Sequence, residues 1–436
     1  MRSYPRDNFD KPIKMKFLLF FSVAVLTVVG AMAQRQTTGL SAEGPSSDFS
    51  HRAVTLSKSC PVRTTRHLFI ITIDGFRWQE VFTGADPSLI ANEEYVKDTV
   101  LTRQLYWDVT PQLRRRRLMP FFWNTIAEKG QLYGNRHFDN RVNVKNWLKI
   151  SYPGYNEIFT GHTNAVTSPN LPINNRNVNV LEYLNGLQAY HDKVAVFTSW
   201  SVFPYILNRT RSGLPINSGY ERLNEGSDTT AGLIDSVQGN MPPSMTRYDL
   251  LTYLSAREYI DRHHPSVVYL GLGETDEFAH QGRYDLYLQH ASHIDQMIAE
   301  LWYTIQTDPY YKDSTTFLIT TDHGRGWKPN KWTTHGFWAK GSGDIWLAVL
   351  GPDILPEGEL RSPGQVYQRQ MASTIAFLMG APSGPGYPPG KPVHFPSASS
   401  AGIPPAEVSL GPLSEASFPP PAPVTARLAA TNTPAR

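Results

Sequence analysis

The chain has 436 residues, of which 40% are hydrophobic and 18% charged, and its formal net charge is +3. This length and apolar content allow a substantial buried core, which argues against a disordered protein. The mild charge indicates no nucleic-acid-binding surface, because such surfaces concentrate basic side chains. Cys60 is the only cysteine, which excludes an intrachain disulfide bond.

An apolar run near the start of the sequence predicts export. It follows a basic flank and ends in a small-x-small motif at residues 31–33. We therefore predict that residues 1–33 are an N-terminal extension and signal peptide, cut before Gln34, with either Met1 or Met15 as the start. The alternative is a membrane anchor, because the run approaches the ~20 residues that span a bilayer. The cleavage motif favours a secreted or periplasmic protein with no stable membrane span after cleavage.

Composition divides the rest of the chain into three parts. Residues 34–66 are polar, rich in Ser and Gly and without periodicity, as in a linker. Residues 381–436 are rich in Pro, Ala and Ser, a composition that buries too little apolar surface to offset chain entropy, so they predict a disordered tail. The folded domain is predicted to span residues 67–380.

Within this domain, apolar runs of strand length alternate with segments of helical period. The runs, in chain order, are "HLFIITID", "KVAVFTSW", "SVVYLGLG", "TTFLITTD" and "IWLAVLGP". The clearest helix carries an apolar stripe at Tyr287, Ala291, Ile294, Ile298, Leu301 and Ile305. Strands alternating with helices, and apolar enough to be covered on both faces, predict a three-layer α/β/α sandwich with a mostly parallel central sheet.

Carboxylates and imidazoles follow three of these runs. They are Asp74, Asp276 with His280, Asp322 with His323, and His335 in the loop beyond. Because ligands collect beyond the carboxyl ends of parallel strands, we expect these side chains to converge. Any one of them is also explained as a helix cap, so the prediction depends on the whole set. Three Asp and three His suit zinc best, with manganese possible and calcium disfavoured.

Ser151 is the candidate nucleophile. It follows an apolar stretch in "NWLKISYPGYNEIFTGH" and precedes a turn that opens a predicted helix, which would place its hydroxyl near the positive helix end. Two dications would lower the pKa of that hydroxyl. Their charge of +4 would balance three aspartates and a serine alkoxide. The set therefore predicts a hydrolytic site rather than a purely structural one.

The order and spacing of these residues resemble the alkaline phosphatase superfamily, specifically its nucleotide pyrophosphatase/phosphodiesterase-like members. The matching elements are Asp74, the serine in "ISYPGYNEIFTG", Asp276 to His280, "DHG" at 322–324, and a last histidine. The resemblance implies an alkaline phosphatase-like fold over the whole domain. It also implies two divalent ions, most simply Zn²⁺, and an exported phosphate ester hydrolase that works through a phosphoserine intermediate.

Carried over to this chain, the resemblance assigns the ligands to two ions. One ion would be held by Asp276, His280 and His335, and the other by Asp74, Asp322 and His323. An asparagine about twenty residues beyond the nucleophile would bind a phosphoryl oxygen, and the candidates are Asn170, Asn174 and Asn175. The chain departs from the family at Gly154 and Tyr155, where an Asn-His pair is usual, so the rim around the substrate differs.

The substrate is left open among small phosphate esters and nucleotides. A phosphomonoesterase needs a cation for the extra phosphate charge, for which the candidates are Arg77, Arg325 and Lys328. A phosphodiesterase or nucleotide pyrophosphatase needs a slot for a second substituent, and an aromatic clamp for it is possible among Trp327, Trp332, Phe337 and Trp338. The alternatives to a phosphate ester hydrolase are a sulfatase-like sulfuric ester hydrolase and a non-catalytic secreted zinc-binding protein.

Overall fold

The computed structural model describes residues 64–164, 170–223, 226, 229–381 and 389–396. The predicted signal peptide, nearly all of the predicted linker and most of the predicted tail lie outside these residues. Within the described ranges, no helix has an apolar stretch long enough to cross a bilayer.

The elements follow one another in an α/β order. The strands are β1 (His67–Ile73), β2 (Gly130–Tyr133), β3 (Asn140–Asn143), β4 (Val194–Thr198), β5 (Ile216–Ser218), β6 (Val267–Leu272), β7 (Thr315–Thr320), β8 (Asp344–Ile345), β9 (Leu347–Leu350), β10 (Gly358–Glu359) and β11 (Gly364–Tyr367). The helices are α1 (Trp78–Thr83), α2 (Pro87–Ile90), α3 (Thr99–Tyr106), α4 (Pro111–Leu118), α5 (Ala127–Lys129), α6 (Ser151–Thr160), α7 (Val180–Asn185), α8 (Phe203–Ile206), α9 (Arg209–Ser212), α10 (Thr230–Asn240), α11 (Asp249–His263), α12 (Glu274–His280), α13 (Tyr284–Thr307) and α14 (Met371–Leu378).

The main sheet is mostly parallel. In the described residues its order is β10-β2-β9-β7-β1-β6-β4-β5, with β9 antiparallel to both of its neighbours. A smaller sheet has the order β11-β3-β8. Strands β1, β4, β6 and β7 are buried along their whole length, as expected for strands covered on both faces. The predicted α/β sheet is therefore confirmed.

Helices cover both faces of this sheet. In β1, Phe69 and Ile71 point into one apolar cluster, and Leu68 and Ile70 point into the other. This alternation follows from the two-residue period of a strand. The predicted stripe of α13 lies wholly in the first cluster, whereas α6, α7 and α14 supply the second. The three-layer sandwich is thus confirmed.

One predicted strand is divided in the structure. The run "IWLAVLGP" contributes Ile345 to β8 in the small sheet, and then β9 to the main sheet. Trp346 separates the two strands, because its buried indole Nε1 donates to the carbonyl of Phe76 (2.9 Å) and its own carbonyl accepts from Thr320 Oγ1 (2.6 Å). An apolar run in sequence does not show such a change of partner.

Part of the predicted disordered tail is packed against the domain. Val393 and Phe395 are buried in the second apolar cluster. The backbone N–H of Val393 donates to Thr374 Oγ1 (2.9 Å), and the carbonyl of Pro396 accepts from Gln131 Nε2 (3.1 Å). The described domain therefore extends to residue 396, beyond the predicted boundary at 380. Two apolar side chains suffice to anchor a segment whose average composition is poor in them.

A buried carboxylate away from the sheet edge gives a stability prediction. Asp295 in α13 accepts hydrogen bonds from the backbone N–H groups of Phe121 and Phe122, both at 2.8 Å. Burial raises the pKa of Asp295 from 3.8 to about 7, against the opposing effect of those hydrogen bonds. A carboxyl group whose pKa is raised in the folded state makes its full contribution to stability at pH values below its pKa in the unfolded chain. This contribution is lost as the pH rises through about 7.

We therefore expect the free energy of unfolding of the wild type, minus that of Asp295→Asn, to decrease as the pH rises from 4 to 7. The slope should approach ~1.4 kcal/mol per pH unit at most. Urea unfolding in the presence of a chelator measures it without a contribution from bound metal. Equal slopes for the two proteins would contradict the prediction.

Candidate active site

The predicted ligands meet at one edge of the main sheet. Strands β7, β1 and β6 are adjacent and parallel, and Thr72 of β1 is in register with Thr320 of β7 and Gly271 of β6. Their carboxyl ends are therefore level. Asp74 follows β1, α12 with Asp276 follows β6, and the pair at 322–323 follows β7. All six predicted ligands lie in two adjoining groups there.

The first group, cluster 1, contains Asp74, Asp322 and His323. His323 Nε2 lies 3.6 Å from Asp74 Oδ1 and 3.4 Å from Asp322 Oδ2. His323 Nδ1 is 3.1 Å from the carbonyl oxygen of Gly324. That carbonyl can accept the Nδ1 proton, which leaves Nε2 as the ring nitrogen that faces the two carboxylates. All three side chains are buried.

The second group, cluster 2, contains Asp276, His280 and His335. His280 Nε2 lies 3.1 Å from Asp276 Oδ2 and 2.9 Å from His335 Nε2. His335 Nε2 is 3.8 Å from Asp276 Oδ1. Asp276 and His280 converge because they are one turn apart on α12, as predicted. The clusters adjoin where the rings of His323 and His335 stack at 3.9 Å.

Ser151 stands beside cluster 1. It is the first residue of α6, and its Oγ lies 3.3 Å from His323 Nε2. Gly154 allows the start of α6 to approach the sheet, because a Cβ at this position would be 2.6 Å from the carbonyl oxygen of Asp322. The departure at Gly154 noted in the sequence is thus required for this packing. The hydroxyl is held at the positive end of a helix and next to a candidate ligand.

The three candidate asparagines are separated by the structure. Asn170 lies next to the nucleophile, since its Oδ1 accepts from the backbone N–H of Tyr152 at 2.8 Å. Asn175 is buried, and its Nδ2 donates to Asn156 Oδ1 (2.9 Å) within the fold. Asn174 is exposed. Asn170 alone of the three is bonded to the residue that follows Ser151.

Comparison with known proteins supports the architecture. The sequence matches no protein-family model and no curated protein sequence. A quadruple mutant of the alkaline phosphatase PafA matches the structure with a TM-score of 0.50 and 11% identity, over 77% of this chain and 99% of that chain. The chain has an alkaline phosphatase-like fold.

Two further solved structures match this fold. A 2-O GAG sulfatase matches with a TM-score of 0.48 and 11% identity, over 79% of this chain and 76% of its own. The lipoteichoic acid synthase LtaP from Listeria monocytogenes matches with a TM-score of 0.46 and 13% identity, over 74% of this chain and 73% of its own.

The residues at the sheet edge of this alkaline phosphatase-like fold suit divalent ions. Four ligands in a tetrahedron around zinc, with bonds of 2.0–2.1 Å, lie about 3.3 Å apart. The separations between candidate ligand atoms within each cluster are 2.9–3.8 Å and scatter around that length. Asp74 Oδ1 and Asp322 Oδ2 are buried and accept no hydrogen bond. Buried carboxylate oxygens without a donor are costly unless a cation satisfies them.

The electrostatics of cluster 1 also indicate a cation. Burial raises the pKa of Asp74 well above 3.8, and the charges of Asp322 and Asp276 raise it further. Burial likewise raises the pKa of Asp322. Two adjacent carboxyl groups whose pKa values are both raised ionise together only if a positive charge lies between them.

In cluster 2, by contrast, the surroundings favour the ionised form of the carboxylate. Burial would raise the pKa of Asp276, but the charge of Arg325 and a hydrogen bond with His280 hold it well below 3.8. Burial lowers the pKa of His335 well below 6.5, so its imidazole is neutral and can act as a ligand. Asp276 is therefore ionised, and a cation already accompanies it.

Several residues that shape the site were not recognised as such in the sequence. Tyr155, noted there only as a departure, donates its hydroxyl to Asp74 Oδ2 at 3.0 Å. Gln368 donates its Nε2 to the carbonyl of Asp322 at 2.6 Å, and Thr275 Oγ1 donates to the carbonyl of Asp74 at 2.6 Å. Gln368 lies far along the chain, in a segment with no motif, so the sequence offered no signal for it.

A third group of two acidic residues and a histidine, Asp249, Glu274 and His290, holds the start of α12 by hydrogen bonds. Asp249 Oδ1 accepts from Ser199 Oγ (2.6 Å) and from the backbone N–H of Gly273 (2.7 Å), and its Oδ2 accepts from the N–H of Glu274 (3.1 Å). Glu274 in turn accepts from the N–H of Asp249 at 2.7 Å, and His290 Nδ1 is 3.3 Å from the same Glu274 oxygen. With these donors in place, Asp249 fixes the start of the helix that carries Asp276.

Proposed function

We propose that the protein is an exported two-metal hydrolase of phosphate esters in which Ser151 is the nucleophile. The observation that carries this proposal is the position of the Ser151 hydroxyl. It lies at the start of α6, 3.3 Å from His323 Nε2, where cluster 1 and cluster 2 adjoin. Three carboxylates and three imidazoles beside a helix-terminal serine suit phosphoryl transfer better than a closed structural zinc site.

The reaction is a double displacement. Divalent ions bound by the two clusters would lower the pKa of the serine hydroxyl and offset the phosphoryl charge. Ser151 loses its hydroxyl proton to solvent, its Oγ attacks phosphorus to form a P–O bond, and the leaving-group oxygen departs with the electron pair of the bond that breaks. Water then attacks the same phosphorus and gives up a proton, the Oγ–P bond breaks, and the serine oxygen takes its electron pair and is reprotonated. We assign Asn170 the contact with a phosphoryl oxygen, through the side-chain amide nitrogen that remains after its Oδ1 accepts from Tyr152.

The placement of the candidate cations favours a phosphodiester over a phosphomonoester. Arg77 is buried and paired with Glu80, to which its Nε donates at 2.8 Å. Arg325 is buried and donates to Asp276 and to two backbone carbonyls. Lys328 is exposed. None of these three is positioned to grip the extra negative charge of a terminal phosphate.

An exposed aromatic rim next to the nucleophile supports the same choice. It consists of Trp147, Phe337 and Trp338, which are 56%, 47% and 87% exposed. The Phe337 ring lies 5.4 Å from that of Trp147 and 4.7 Å from that of Trp338. A Cβ at Gly336, beside His335, would be 3.6 Å from Ile150 Cγ2, so the two rim segments meet next to Ser151. The other two tryptophans predicted for the aromatic clamp are not part of this rim. Trp332 is buried in the core, and the indole N–H of Trp327 donates to Asp344.

The turn that carries Trp147 is held by hydrogen bonds to two buried side chains. The buried carboxylate of Glu157 accepts from the backbone N–H groups of Lys145 (2.9 Å) and Asn146 (2.7 Å). Asn146 Oδ1 then accepts from the N–H of Lys149 at 2.8 Å. A tryptophan on a turn whose backbone is already held by hydrogen bonds is a preformed stacking surface, because the turn need not be ordered on binding. We propose that it contacts the second substituent of the ester.

Removing the Trp147 ring should weaken the binding of a diester that carries two rings. For Trp147→Ala we expect KM for bis(p-nitrophenyl) phosphate to rise roughly tenfold with kcat little changed, since stacking is worth about 1 kcal/mol or slightly more. The KM for methyl p-nitrophenyl phosphate should change less. Tyr303→Ala, which removes an exposed ring on α13, is the matched control. Equal effects on both substrates would contradict a role in substituent binding.

Rates on three model esters test the proposed function. The zinc-loaded protein should hydrolyse bis(p-nitrophenyl) phosphate faster than p-nitrophenyl phosphate, and p-nitrophenyl sulfate more slowly than either. Faster turnover of the sulfate would favour the sulfatase alternative. No turnover of any ester, with zinc bound, would favour a non-catalytic zinc-binding protein.

A further inference from the structure

Arg325 is built into cluster 2. Its side chain is buried, and its Nη1 donates to Asp276 Oδ1. Its Nε donates to the carbonyl of Trp332 (2.9 Å) and its Nη2 to that of Thr333 (3.1 Å). The guanidinium thus joins the loop after β7 both to Asp276 and to the segment that leads into His335. Each of its three nitrogens donates one hydrogen bond inside the site.

A close contact shows that the fold makes room for this ion pair. A Cβ at Gly75 would be 2.5 Å from Asp276 Oδ1 and 3.2 Å from Arg325 Nη1. Gly75 also has φ of +59°, a conformation that favours glycine. Any larger residue at this position would displace the pair.

The net charges of the two clusters differ by two units, one from the extra carboxylate in cluster 1 and one from Arg325. Cluster 1 has two carboxylates and one imidazole, so its formal charge is −2 when both acids are ionised. Cluster 2 has one carboxylate and two imidazoles, and the guanidinium of Arg325 brings its sum to zero. A divalent ion is therefore drawn strongly to cluster 1 and gains much less Coulomb energy at cluster 2.

The carboxylate oxygens available to a metal ion also favour cluster 1 over cluster 2. In cluster 1, Asp74 Oδ1 and Asp322 Oδ2 have no hydrogen-bond partner and are buried. In cluster 2, Arg325 occupies Asp276 Oδ1, which leaves Oδ2, 3.1 Å from His280 Nε2, as the available carboxylate ligand. The His280 side chain is 48% exposed, which gives solvent access to cluster 2.

From these observations we propose that the two metal sites are unequal. Cluster 1 retains its divalent ion tightly, whereas cluster 2 exchanges its ion with solution, and Arg325 supplies one of the two unit charges by which the sites differ. This inference rests on the proposed two-metal hydrolase. If both ions are needed for turnover, activity responds to the free concentration of divalent metal, because cluster 2 fills last.

Zinc titration of the metal-free full chain tests the inequality. Isothermal titration calorimetry should show two binding events whose Kd values differ on the order of 100-fold, as expected for a difference of two unit charges near the bound ion. Crystals grown with one equivalent of zinc should show anomalous density between Asp74 and Asp322 and none at cluster 2. Two sites of equal affinity, or density at cluster 2 first, would overturn the inference.

Two substitutions at Arg325 separate its charge from its role in holding the loop. Arg325→Gln removes the charge and keeps a donor amide, so the weaker site should tighten about tenfold or more while the tighter site stays unchanged. Arg325→Lys keeps the charge and should leave the weaker site weak. If both variants weaken the second site equally, Arg325 only holds the loop and the inference is overturned.

The outcomes also distinguish this inference from the proposed function. Absence of any zinc binding by the wild-type protein would overturn both. Two ions of equal affinity, together with turnover of a phosphodiester, would overturn the inference and leave the proposed function standing. The diffraction experiment uses the wild-type protein, so it decides the order of loading even if a variant at Arg325 fails to fold.

Discussion

Ser151→Ala is expected to lower the turnover of bis(p-nitrophenyl) phosphate on the order of 10³-fold or more, while zinc binding remains as in the wild type. The hydroxyl supplies the bond to phosphorus in the proposed reaction, and in the described structure no other serine hydroxyl is hydrogen-bonded to a ligand of cluster 1. His323 is also held through its Nδ1 by the carbonyl of Gly324 at 3.1 Å, so we expect the cluster to keep its arrangement without the Ser151 hydroxyl. Steady-state rates and zinc titration together measure the two effects.

The control for this substitution is a buried serine outside the site. Ser373 in α14 donates its hydroxyl to the carbonyl of Pro389 at 2.9 Å, and Ser373→Ala should retain turnover. Full activity of Ser151→Ala would contradict the nucleophilic role. A loss of zinc binding in step with activity would instead identify Ser151 as a ligand or a structural residue.

Asp322→Asn is expected to change stability in opposite directions with and without zinc. Without metal, the substitution removes one of two buried carboxylates, and burial together with the charge of Asp322 already raises the pKa of Asp74. The asparagine Oδ1 can still accept from the N–H of Gly75, as Asp322 does at 3.0 Å. We therefore expect a gain of roughly 1 kcal/mol in the metal-free protein.

With zinc bound, the same substitution should destabilise the protein relative to wild type. Loss of a charged ligand weakens zinc binding, and each 100-fold loss in affinity removes about 2.7 kcal/mol of stabilisation at saturating ligand. Thermal melts with a chelator and with excess zinc measure both effects. Asp261→Asn, at a half-exposed residue on α11, should shift neither melt appreciably. A shift of the same sign in both conditions for Asp322→Asn would contradict the assignment of cluster 1.

The fold was predictable because buried parallel strands have a distinct composition. The runs that became β1, β6 and β7 are apolar along their length, and polar residues follow each of them directly. Adjacent parallel strands then bring those polar residues together. Asp276 and His280 were predictable for a local reason, since their spacing equals one helical turn.

What the sequence did not show depends on contacts between distant segments. Arg325 was a candidate for holding substrate phosphate, yet it pairs with Asp276, 49 positions earlier in the chain. Tyr155 bonds to Asp74 across 81 positions. A sequence pattern reveals which residue types are present near a ligand, but the direction of a long side chain is set by tertiary packing.

The two glycines after β7 lie where neighbouring backbone approaches closely. Neither Gly324 nor Gly326 has a positive φ. A Cβ at Gly324 would instead be 2.4 Å from the carbonyl oxygen of Asp344, and one at Gly326 would be 2.4 Å from that of Lys331. Close approach of neighbouring backbone, rather than a left-handed turn, requires glycine at both positions.

The covalent step through Ser151 can be measured directly. Zinc-loaded protein turning over bis(p-nitrophenyl) phosphate is quenched in acid, and its peptides are mapped by mass spectrometry. If Ser151 is the nucleophile, one p-nitrophenyl phosphoryl group is found on the peptide that contains Ser151 in the wild type, and none in Ser151→Ala. A phosphoryl adduct on any other residue, or turnover by Ser151→Ala at the wild-type rate, would contradict the proposed mechanism.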